Sequence, residues 1–360
     1  MDGKGRLFYL DNLRVVLTIL VIAHHVGQAY GPTGGYWPVQ EEARAALLGP
    51  FFTVNRSFFM SLFFMISGYL MVGAWERSSS PRAFMVARLR RLGVPVLVWA
   101  LISLAAGILM FGKKIGSWRD LFDAGHLWYL EHLLLFSLGY ALWRLLRGDR
   151  EKRDPSSRPL PRWPAYLAFA AAVAVGSAAV RIWSPIDRWF NLLGFFKVAF
   201  ADVPRDLAFF ILGVLAYPRN WFERYPRRAG FAWLGVGLAA GAAWYAFALG
   251  LNRVLALSDT AMGVIYPLWE SVLCLGLCIG LTVAFREAAN SQGAFGKWLA
   301  GNQYSAYFWH PMLIVLLQLA ALALPVGPFA KFALVTAVGT AAVFLWSALF
   351  RLLAPVRAVL

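Results

Sequence analysis

Ten stretches of this chain stay apolar long enough to cross a hydrocarbon core of about 30 Å. They lie at roughly 10-30, 51-74, 92-111, 127-147, 165-182, 205-217, 229-250, 264-285, 303-324 and 328-353, the sixth being short. In lipid a helix satisfies its own backbone hydrogen bonds, so these runs predict an all-α polytopic membrane protein of about ten transmembrane helices. Composition agrees: 60% of the 360 residues are hydrophobic and 14% charged, outside the range of soluble domains. With no repeat of 20 to 50 residues and only one linker-like stretch, at 148-164, a single membrane domain over 1-360 is expected. The first run carries Arg14 and two histidines and precedes no clean cleavage site, so it is expected to remain as a helix.

A formal charge of +16 would suggest nucleic acid in a soluble chain, but here the basic residues sit in short loops. When loops are assigned to alternate sides, 22 of the 34 Lys and Arg fall on the side of the N-terminus and 10 opposite. Arg14 and Arg56 lie within spans. The excess predicts that both termini are cytoplasmic, in a multi-pass protein of a bacterial cytoplasmic membrane, with no nucleic-acid partner. Cys274 and Cys278 are four apart in one apolar run, which suits helix packing and not a disulfide scaffold or zinc; no metal site is expected.

Arg14 and His25 are eleven residues apart. Eleven steps of 100° make about three turns, so the two share one helical face with about 16 Å between them, while His24 points about 100° away. Titratable groups inside a membrane helix usually face the bundle interior or a wet cavity, so the pair suggests a buried polar track. A snorkelling arginine with an unrelated histidine is the plainer alternative. His310 follows Lys297 by thirteen residues, or about 20 Å, which puts it at a depth similar to that of His25. His126 and Glu131 open the fourth span from the outside, and together these groups form the cluster expected of an acid/base site.

Four further segments carry chemistry. In FFMISGYL at 63-70, Ser67 and Gly68 would admit either a ligand or a neighbouring helix. Arg88 and Arg91 in RLRRLGVP present paired guanidinium forks suited to phosphate, or merely a topogenic cluster. GHLWYLEHLLLF at 125-136 places Glu131 where an unpaired acid is costly. In YSAYFWHPM at 304-312, His310 precedes Pro311, which would bend the span and free carbonyls. Glu270 is one more carboxylate within a span.

Together these segments resemble acyltransferase family 3, the ten-helix membrane acyltransferases that modify surface glycans and related acceptors. Arg14 and His25 match its R-x10-H pattern. Phe63, Phe64, Ser67, Gly68 and Tyr69 match F-F-x-x-S-G-aromatic, and Arg88 and Arg91 match R-x-x-R. HLWYL at 126-130 and the series Tyr304, Tyr307, His310, Pro311 are similar to later segments, although Trp128-Tyr129-Leu130 leads to Glu131 at a different offset from the family's W-S-L-x-x-E. The resemblance implies acyl-CoA as a donor substrate, no permanently bound cofactor, and an extracytoplasmic hydroxyl acceptor, a glycan in the stand-alone branch. On this expectation His25 is general base, Arg14, His310 and Glu131 complete the catalytic group, and Arg88, Arg91, Ser67 and Gly68 hold the donor. Covalent relay through His25 or Ser67 stays open, and the rival class is a proton-coupled transporter or exporter of an anionic solute.

Single cysteines at positions 157 and 258 should label oppositely with an impermeant maleimide on intact cells. Labelling of Ser157→Cys from outside would overturn the orientation.

Overall fold

A computed structural model describes residues 7–33, 37–112, 114, 122–148 and 159–360. Most of the linker-like 148-164 stretch, and much of the expected outer loop at 112-125, lies outside the described residues.

Every apolar run is helical. Among the described residues, seven helical segments are long and apolar enough to cross a membrane: Phe8–Gly27, Leu48–Glu76, Pro81–Leu109, Trp163–Arg181, Arg227–Leu255, Asp259–Ala288 and Pro328–Phe350. The chain is therefore a multi-pass membrane protein. Three of the ten expected spans fall outside this set for physical reasons. Helices α6 (Trp128–Arg147) and α13 (Ala294–Ala321) are long enough but buy interior chemistry at the expense of apolarity, with Glu131, His132, Asn302, Gln303, His310 and Gln318 all buried. Helix α8 (Val203–Ala216) has 14 residues, or about 21 Å, less than the core thickness.

The helices gather into two compact units. Residues 1–59, 225–358 and 360 form the first, and residues 60–224 and 359 the second. In the first unit α1 (Phe8–Gly27) packs against α12 (Asp259–Ala288), α13 and α14 (Pro328–Phe350), while α10 (Arg227–Ala246) lies along α12. Ile22, Val26, Tyr30, Leu48, Ile314, Val335 and Phe344 form its apolar core. A Cβ at Gly276 would stand 2.7 Å from the Gly237 nitrogen, so these glycines let the α10 and α12 backbones meet. The helices α2 (Leu48–Arg56), α11 (Asn252–Leu255) and α15 (Ala354–Arg357) belong to this unit too.

The second unit takes α3 (Phe59–Glu76) from Met60 onward and holds α4 (Pro81–Arg88), a π-turn at Leu89–Gly93, α5 (Val94–Phe111), α6, α7 (Trp163–Arg181), α8 and the short α9 (Trp221–Arg224). Helices α3 and α8 cross at reciprocal glycines. A Cβ at Gly68 would run into the Phe210 carbonyl, and one at Gly213 into the Met65 carbonyl. A two-stranded antiparallel ribbon, β1 (Phe190–Leu192) with β2 (Phe196–Val198), pairs Phe190 with Val198 and departs from the all-helical expectation. It turns through Leu193 and Gly194, both at positive φ.

Gly213→Ala should lower the melting temperature in detergent, because overpacking against backbone costs about 1–3 kcal/mol or more. Gly235→Ala, where a Cβ meets nothing within 4 Å, is expected to be neutral or stabilising by the same assay.

Candidate functional site

In the first unit the chemistry starts at Pro311. Proline has no N–H, so the carbonyl four residues earlier, that of Tyr307, loses the donor an α-helix would supply. The His310 ring takes that place, with Nδ1 2.8 Å from the Tyr307 oxygen. A carbonyl only accepts, so Nδ1 carries the proton and, in the neutral ring, Nε2 is the acceptor. Nε2 of His310 stands 3.2 Å from Nδ1 of His25, which is also 3.0 Å from the Val21 carbonyl. The only neutral assignment consistent with both is Nδ1–H on His25, shared between Val21 and His310. The second nitrogen of His25, Nε2, is then the basic one.

His25 lies in the last turn of α1, half-buried, whereas His310 is fully buried on α13. The neighbouring His24 turns into an aromatic nest, its ring centroid 5.2 Å from those of Phe52 and Phe59 and 6.4 Å from that of Phe51. Trp37 flanks His25 at 5.4 Å. Its indole Nε1 donates to Gln318 Oε1 at 2.6 Å, and Gln318 Nε2 donates to the Val26 carbonyl at 3.0 Å. Arg14 lies three turns earlier on the same continuous helix, with Nη1 3.5 Å from Asp11 Oδ1, an i, i+3 pair. Asp11, Trp37 and Gln318 went unmarked in the sequence, although a glutamine within an apolar run was a legible signal.

In the second unit Ser67 Oγ is 2.7 Å from the Tyr129 hydroxyl, and the close approach at Gly68 is to α8. Glu131 accepts from the Lys197 amide at 3.0 Å, and His132 Nε2 donates to the Lys197 carbonyl at 3.1 Å. One residue of the β-ribbon thus supplies the partners that an acid within a span needs. Lys197 Nζ reaches Asp123 at 3.1 Å. The His126 ring lies edge-on to Trp99 at 4.5 Å. Arg88 is half-buried, with its guanidinium 5.1 Å from the Phe84 ring.

A further buried cluster was not foreseen. Arg205 is 1% exposed; its Nη2 lies 3.2 Å from Asp202, its Nε 3.5 Å from Asp206, and Nε donates to Ser61 Oγ at 3.0 Å. Ser61 in turn donates to Asp206 at 2.6 Å. The adjacent opposite charges of Arg205 and Asp206 inside the sixth run were its signal. Thus His25, Arg14 and His310 belong to the first unit, and Arg88, Arg91, Ser67, Gly68 and Glu131 to the second.

The family model for Acyl_transf_3, an acyltransferase domain, matches residues 7–352. The chain belongs to this family. It is similar to proteins named Glucans biosynthesis protein C from Escherichia coli, in strain K12 and in strain SMS-3-5 / SECEC, at 27% identity over 232 residues. The match covers 59% of this chain and 58% of each relative, so it spans a little over half their length. No solved structure gives a match.

Arg205→Met should destabilise the protein, since removing one partner from a buried ion pair leaves its carboxylates uncompensated at a cost of about 3–5 kcal/mol. A lower melting temperature and yield in detergent would check it. Lys297→Met, at an exposed position outside this cluster, serves as the comparison and should change little.

Proposed function

We propose that this protein transfers an acyl group from acyl-CoA to a hydroxyl of an extracytoplasmic glycan, with His25 as general base. The observation that carries the reading is the hydrogen-bonded series Tyr307, His310, His25, which assigns the basic nitrogen of His25. Family membership supports acyl transfer, and the name of the glucan-biosynthesis relatives supports a glycan acceptor.

In the step proposed, His25 Nε2 takes the proton of the acceptor hydroxyl as its oxygen attacks the thioester carbonyl. The new C–O bond forms, the C–S bond breaks, and the leaving CoA sulfur takes the proton back from the imidazolium. The products are a glycan ester and free CoA. While the ring is cationic, its Nδ1–H stays directed at the Val21 carbonyl and His310, which orient it as the third member of a catalytic triad orients its histidine. General base catalysis of this kind is worth about 10² to 10⁴ in rate. His310, fully buried, acts through His25; Arg14, ion-paired to Asp11, lines the same helix face at the other end.

Arg88 and Arg91 are assigned to the phosphates of CoA, and Ser67 and Gly68 to the donor's path. Glu131 is assigned to holding the β-ribbon. The charge asymmetry of the loops supports cytoplasmic termini and a location in the bacterial cytoplasmic membrane, where the donor is available on the inner side.

His25→Ala should abolish CoA release and glycan acylation by purified protein that still binds acyl-CoA, whereas His24→Ala should keep most activity. Equal losses would sink the base assignment. Pro311→Ala returns an N–H to Tyr307, so it should lower kcat with the donor KM unchanged. Replacing Arg88 and Arg91 by lysine keeps the charges but loses the forks, and should raise the KM for acyl-CoA alone. Normal donor KM in that variant would leave the pair a topogenic cluster, and solute flux without CoA release would favour a transporter.

A further inference from the structure

The segment between α1 and α2 is fastened beside His25 at several points. The Glu41 amide donates to the Ala29 carbonyl at 2.9 Å and the Ala45 amide to that of Tyr30 at 2.8 Å. Arg44 donates to the Ala29 carbonyl at 3.0 Å. The buried Lys331 ammonium lies 2.7 Å from Glu41 Oε1 and donates to the Leu322 carbonyl at 3.2 Å. Trp37, at the start of this segment, has its single N–H engaged by Gln318, a residue with no exposed surface whose own amide is anchored on Val26, the residue after His25. A buried glutamine in an apolar helix is costly unless both ends are used, and here both ends serve to hold one indole.

The indole stands 5.4 Å from the His25 ring, tilted by 38°, and is only half-buried. A molecule of the size of a sugar ring that presents a hydroxyl to His25 from this side meets the indole. With its N–H turned away into the protein, what the indole offers is a flat, polarisable face. A pyranose has the complementary surface: one face of axial C–H groups, and hydroxyls projecting around the rim.

We propose that Trp37 is the acceptor platform, on which a sugar ring of the glycan stacks through its C–H face with a rim hydroxyl directed to His25. Gln318 is its positioning residue. The inference deepens the acyl-transfer reading and rests on it. The platform is held before substrate arrives, so no ordering of the indole opposes binding.

The experiment measures acyl transfer from acyl-CoA to a glucan oligosaccharide and to glycerol, which is too small to stack, with donor KM and melting temperature recorded alongside. Trp37→Ala should raise the KM for the oligosaccharide about tenfold, the size expected for loss of one aromatic contact, with the glycerol and acyl-CoA KM values changed less than twofold. Trp37→Phe keeps a face without the N–H and should recover most of the loss relative to Trp37→Leu. Gln318→Leu, which unpins the indole, should raise the oligosaccharide KM less than Trp37→Ala does. An unchanged oligosaccharide KM in Trp37→Ala, equal losses with both acceptors, or no advantage of phenylalanine over leucine would each overturn the platform. Activity retained in His25→Ala would instead overturn the base, whatever the Trp37 variants do.

Discussion

One missing hydrogen atom organises the first unit. Because Pro311 cannot donate, the Tyr307 carbonyl engages the His310 ring, and a carbonyl partner permits only a protonated Nδ1. Everything downstream is a consequence of that restriction: Nε2 of His310 accepts, Nδ1 of His25 donates, and the basic nitrogen of His25 is the other one. A proline that would be a defect in a soluble helix is here the origin of the polarity of a two-histidine relay. In a membrane helix the freed carbonyl needs a local partner, which makes this arrangement the natural way to satisfy it.

The same requirement, that polar groups in lipid be paired, accounts for the rest of the interior. Glu131 and His132 take both backbone groups of Lys197, so a short β-ribbon becomes a fixed part of the second unit. Arg205, Asp202, Asp206 and Ser61 form a charged cluster that Arg181 joins through Asp202. Such clusters set specific helix neighbours more than they add stability. Close contact between the helices themselves comes from glycine, at Gly68 with Gly213 and at Gly237 with Gly276, since lipid offers helices little hydrophobic reason to associate.

The helices were legible because a membrane crossing imposes a length and an apolarity that read directly from the chain. Arg14 and His25 were legible because α1 is unbroken between them, so angular arithmetic holds. The Pro311 signal was read as freed carbonyls, but the identity of the group that would answer the Tyr307 oxygen depends on a ring rotamer and could not be counted off. The contact between His25 and His310, 285 residues apart, is tertiary. So is the partnership of Glu131 with a strand whose existence no apolar periodicity announced. Trp37 sat in a loop where an aromatic residue is unremarkable, and only its hydrogen bond to Gln318 distinguishes it.

On the acyl-transfer reading proposed above, His25 would activate water as readily as a sugar, and hydrolysis would waste the thioester. Discrimination has to come from what surrounds Nε2 and not from the base itself. The surroundings on this side are a half-buried indole and a segment tied down by Glu41 to Lys331 and by Arg44 to Ala29. In the proposed complex a sugar ring stacked on Trp37 would bring its hydroxyl with it, so occupancy of the indole would both deliver the nucleophile and exclude its competitor. Selectivity for the acceptor would then follow from the same contact that binds it, and the histidine pair would need no sensing device of its own.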